Sequence, residues 1–211
     1  MGKVTGMRRA VLAMLLAFGL LLMPIWGVVS ADTTDSTTYG SGNYGVCDYG
    51  SCTITLSSAA TTNIDITPSG TSKCSVQSNA VSVTTDSATG YSLTMTTSGT
   101  NTSMTYLSNN LTASSGTAAS PTALATNTWG WRVDGLSGFG AGPTSSLASG
   151  AVPSVTFAGV PASNGTPSQL ALTSAAANPA VVTTVWYGAC ASPTAAAGTY
   201  TATVTYTAVT N

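Results

Sequence analysis

The chain has no histidine and no glutamate, and charged residues make up only 5% of it. A typical globular chain carries about 25%. Without histidine, the most common general base and metal ligand is missing. Two of the five cations are set apart from the rest as Lys73 and Arg132; Lys3, Arg8 and Arg9 all crowd into the first nine residues. So few cations cannot neutralise a row of phosphates or form a polybasic patch, which excludes nucleic acid and the charged membrane surface as partners. No window carries a convincing helical stripe of apolar residues.

Catalysis is hard to assemble from what is left. A Ser–Lys dyad would have to use Lys73, and neither Ser72 nor Cys74 stands at a recognisable spacing from it. A paired-carboxylate glycosidase would need two of six aspartates, of which Asp65 falls in an alternating stretch and Asp86 in a turn. Asp134, beside Arg132, is the acid that stands near aromatic residues. The segment Asp86-Ser87-Ala88-Thr89-Gly90 holds one carboxylate, too few for a calcium site of 6–8 oxygens. The expectation is no enzyme, no metal and no cofactor. Asn101, Asn110 and Asn164 head glycosylation-type triplets, which chance supplies in a chain this rich in Ser and Thr.

What is present begins with an export signal. The basic opening is followed by an apolar run over residues 10–29, and Val29-Ser30-Ala31 obeys the small-residue rule for cleavage. The run is long enough to span a bilayer, but Pro24 interrupts it and the cleavage motif follows at once. Residues 1–31 therefore read as a signal peptide, and no membrane span is expected afterwards. The mature chain would keep two cations against six aspartates, a net charge of −4. Residues 32–46 are Thr, Ser, Gly, Tyr and Asn with little to bury, and read as a flexible tail. Residues 47–211 read as one domain.

Four cysteines, Cys47, Cys52, Cys74 and Cys190, in an exported chain imply two disulfides, with three possible pairings. Cys47 and Cys52 enclose a turn-forming tetrapeptide, so a local bridge between them is easy and leaves Cys74 to Cys190.

From Cys52 onward the pattern has period two. Ile54 with Leu56, Ile64 with Ile66, Val81 with Val83, and Tyr91, Leu93 and Met95 alternate with Thr and Ser, each predicting a half-buried strand. One or two short strands are expected in the long stretch over residues 98–128. Trp129, Trp131 and Val133 predict a strand with both indoles on one face. Residues 134–150 are glycine-rich and read as a loop, Val155 and Phe157 as a short strand, and residues 163–167 as a turn. Val181 to Tyr187 and the alternation Tyr200, Ala202, Val204, Tyr206, Ala208 predict two late strands. Many short strands divided by turns predict an all-β, two-sheet sandwich of immunoglobulin-like kind.

The closing stretch from Tyr200 to Ala208 resembles the end of WxL surface domains of Gram-positive bacteria, with Tyr206 and Ala208 where those domains carry Trp and Leu. Trp129-Gly130-Trp131 stands where their internal motif lies. Thr89 to Met95, Trp129 to Trp131, Trp186-Tyr187-Gly188 and Ala197 to Ala208, in that order, are also similar to exported β-proteins of Saccharibacteria. The resemblance implies a WxL-like sandwich on the bacterial cell surface, associated with peptidoglycan or another surface glycan, or with other surface proteins. Trp129, Trp131, Trp186, Tyr187 and Tyr206 are the candidates for stacking on sugar rings, unless they form the core. Three non-catalytic readings follow: a wall-associated structural or adhesive module, a pilus-like subunit assembling by strand exchange through the tail before Cys47, and a lectin-like module.

Overall fold

The computed structural model describes residues 52–211 other than Val152. The expected signal peptide, the expected tail and Cys47 lie outside the described residues. Within them the fold is all-β, without a helix, and its ten strands form two packed sheets.

The spine of the larger sheet is β2 (Lys73–Thr85) paired antiparallel along almost its whole length with β9 (Ala177–Ala191). β1 (Ile54–Ser58) and β7 (Leu147–Gly150) share the outer edge of β2. On the far side, β6 (Thr128–Arg132) joins β9 at its C-terminal end only, over Trp186 to Ala189. A short parallel contact then adds β5 (Asn109–Ala113), which forms a hairpin with β4 (Met104–Tyr106). The smaller sheet places β3 (Tyr91–Thr97) between β10 (Val204–Thr210) and β8 (Ser168–Leu172).

The period-two pattern decides which faces meet. Tyr91, Leu93 and Met95 of β3 and Tyr206 and Ala208 of β10 point inward against Val81, Val83, Val185, Tyr187, Trp129 and Trp131 of the larger sheet. The opposite face of the larger sheet holds a second, smaller core: Cys74, Val76, Trp186 and Cys190, covered by Leu124 and Phe157 from the connections. Gly188 lets this cover close, because a Cβ there would meet the Phe157 ring at 2.7 Å. The turn between β2 and β3 closes with Gly90 N–H donating to Ser87 C=O at 3.0 Å, and its φ of 84° suits glycine.

The structure corrects the sequence reading in five places. Ile64 and Ile66 alternate in burial and pack on the main core, but they form no strand. Side chains stand in for the ladder there: Ser75 Oγ donates to Asp65 C=O at 2.5 Å, and Ser149 Oγ accepts from Thr67 N–H at 2.7 Å. The glycine-rich loop contains β7, held to β2. Val155 and Phe157 form no strand; Phe157 and Ala158 instead make single bridges to Thr122 and Trp131. β8 lies in a stretch assigned no strand. Finally, β2 and β9 run well beyond their valine clusters, to 13 and 15 residues.

Candidate functional site

Cys74 and Cys190 face each other in the β2–β9 ladder and are joined by a disulfide that closes a separation of 116 residues. This is the long-range pairing expected from the spacing of the four cysteines. Cys52 is disulfide-bonded as well, and its expected partner Cys47 lies outside the described residues.

The five aromatic candidates are all interior. Trp131 is fully buried, and Trp129, Trp186, Tyr187 and Tyr206 are each at most 8% exposed. Their polar atoms are spent on the protein itself. Trp129 Nε1 donates to Thr102 C=O at 2.9 Å and Trp131 Nε1 to Gly159 C=O at 3.1 Å. The Tyr187 and Tyr206 hydroxyls share a hydrogen bond of 2.6 Å between the two sheets, and Tyr206 also takes a long 3.5 Å bond from Asn79 Nδ2. Burial pushes the Tyr187 phenol well above its usual range, and the neighbouring Tyr206 adds to that. Rings held this way present no face on which a sugar could stack.

Arg132 is the group whose role the sequence hid. It is fully buried, and its guanidinium gathers the glycine-rich loop. Nε pairs with Asp134 Oδ1 at 2.9 Å, Nη1 donates to Thr156 C=O at 3.1 Å, and Nη2 donates to the carbonyls of Phe139, Gly140 and Ala141 at 2.9–3.2 Å. The planar fork of donors is what lets one side chain hold four carbonyls and a carboxylate. Asp86 is likewise occupied: its carboxylate accepts from Thr53 N–H at 2.7 Å and Thr53 Oγ1 at 3.0 Å. Among the described residues no three His, Cys, Asp or Glu side chains gather as metal ligands do.

What the fold leaves outside is of two kinds. The outer face of the smaller sheet carries a double file of hydroxyls, Thr96 beside Thr205 and Thr94 beside Thr207, extended by Ser98 beside Thr203, and at its other end Ser92 stands between the exposed Leu172 and Val209. It carries no charge. The second feature is a groove of about 520 Å³ lined by Val133, Asp134, Leu136, Leu170 and the stretch Val182 to Thr184. Nothing in the sequence marks it, since Val133 to Leu136, Leu170 and Val182 to Thr184 come from three separate stretches of the chain.

Against known proteins, the chain matches no family model, no curated protein and no solved structure. Its class therefore rests on the fold itself: an all-β, disulfide-locked, sandwich-like domain with a neutral hydroxyl surface.

Proposed function

We propose that the protein is a non-catalytic, exported structural or adhesive module of the bacterial cell surface, of immunoglobulin-like or WxL-like kind, retained by neutral contacts to wall glycan or to other surface proteins. The observation that carries this is how the polar groups divide. The buried cation and the buried aromatic rings are consumed in holding the sandwich together, while the face of β3 and β10 offers paired Thr and Ser hydroxyls without charge. Such hydroxyls exchange hydrogen bonds with glycan or polypeptide surfaces, and with so little to titrate or screen they do so across wide ranges of salt and pH. The Cys74–Cys190 disulfide agrees with an oxidising compartment.

Fractionation of cells expressing the full chain, followed by sedimentation of the processed protein with purified cell wall, tests the reading. It predicts recovery in the envelope and co-sedimentation that survives raised salt. Recovery in the cytoplasm, or a protein that stays in the supernatant, would refute it. Replacing Thr94, Thr96, Thr205 and Thr207 by Asp should release the protein from the wall.

A further inference from the structure

The groove lies against a stretch of sheet edge that is unpaired among the described residues. β6 pairs with β9 only from Trp186 to Ala189, and after Arg132 the chain turns away, with Leu136 N–H donating to Val133 C=O at 3.2 Å. The earlier part of β9 thus has β2 on one side and no described strand on the other. Pro179 lacks an N–H, so the edge open to pairing starts at Ala180 and runs to Thr184. Across the groove, the side of β8 away from β3 is also unpaired among the described residues. An unpaired sheet edge beside an apolar floor is what an added strand requires: backbone bonds give affinity, and pockets for alternate side chains give selection. The floor here is Leu170, Val133 and Leu136, and the rim holds Asp134 and Val182. Val182 is 57% exposed.

We propose that this groove accepts residues 32–46 of a second copy of the chain as an added β-strand, in line with β6, so that copies join head to tail. The length of chain ahead of the described residues argues for this occupant. Fifteen residues extend to roughly 50 Å at 3.3 Å each, while pairing with Ala180 to Thr184 uses about 17 Å, leaving a linker. Composition agrees: Thr37-Thr38-Tyr39 favours a strand, and the segment contains no proline and no cation. A tyrosine suits this floor, with its ring on the half-buried Val133 and Leu136 and its hydroxyl toward Asp134, whose Oδ1 is paired with Arg132. Topology argues for a second copy over the same one. The segment leads into β1, on the outer side of β2, whereas the groove lies beyond β9 on the opposite side. A contact between two different surfaces of the same chain leaves one of each free at the ends, so it propagates unless the rotation closes a ring.

Sedimentation velocity of the processed full chain, at rising concentration, tests this together with two variants. Val182→Asp places a charge in the groove at a side chain the core does not need. Tyr39→Ser with Tyr44→Ser weakens the donor. The native chain should form a ladder of oligomers. Each variant alone should be monomeric, with cooperative melting unchanged. Mixed, the two should form dimers and stop, because only one groove and one donor in each pair are intact. A native chain that stays monomeric, oligomers that persist in Val182→Asp, or a mixture without dimers would each overturn the proposal. Wall sedimentation of the monomeric Val182→Asp chain keeps this separate from the surface reading, which predicts that it still binds.

Discussion

At the scale of the residue, the most heavily used side chain is Arg132. Its five partners are one carboxylate and four carbonyls, and most of the latter belong to a loop with no strand of its own at that point. Arg132→Met would keep the volume and strand those carbonyls without donors. The expected loss is about 3–5 kcal/mol, since breaking a buried charged network costs more than removing a surface pair. Arg132→Lys should recover only part of it, because a point charge cannot reach all five acceptors. Urea denaturation followed by tryptophan fluorescence would read both. Tyr206→Phe removes a hydroxyl shared between the sheets and should cost about 1–2 kcal/mol. Little of this was legible in advance. The sequence marks Trp129, Trp131, Trp186, Tyr187 and Tyr206 as important, yet an aromatic on a strand reads the same whether it faces a core or a ligand. Which it faces depends on the second sheet.

At the scale of the element, strands with clean alternation announced themselves. Tyr91, Leu93 and Met95 predict β3, and Tyr206 and Ala208 predict β10, because one face of each is core and the other solvent. β7 and β8 were silent. Leu-Ala-Ser-Gly and Ser-Gln-Leu-Ala-Leu are short, contain no β-branched residue, and become strands because β2 and β3 offer them an edge. Ile64 and Ile66 err in the other direction: they alternate correctly but find serine side chains instead of a neighbouring strand. The longest pairing, β2 with β9, has the disulfide near one end. Replacing Cys74 and Cys190 together by Ala should cost roughly 2–5 kcal/mol in chemical denaturation, and replacing Cys47 and Cys52 distinctly less, since closure entropy grows with the logarithm of loop length. Equal losses would show that the long closure is not what the bridge contributes.

At the scale of the whole molecule, the absence of histidine and glutamate shapes the response to pH. No side chain of the histidine type changes charge between pH 5 and 8, so stability should be flat there. The alkaline side differs. Burial raises the phenols of Tyr187, Tyr206 and Tyr91 above the value of 10.0 that they have when exposed. An unfolded chain then loses these protons first and the folded chain keeps them, so stability is fully present below about pH 10 and declines as pH rises further. Thermal melting should be near constant from pH 5 to 9 and fall steeply above 10. A steep fall inside the neutral window would contradict the assignment.

The order of pairing in the spine also governs when the chain can fold at all. Val81 lies against Thr183, and Leu93 against Ala208, so the partners of two early strands belong to the last thirty residues. A growing chain that has already released β2 and β3 can pair β2 with β1 but has no partner for β3 and cannot complete either sheet. Loop-closure entropy makes such distant pairings slow, placing the domain among slow folders. Completion of both sheets therefore waits on β9 and β10, whatever hairpins form earlier.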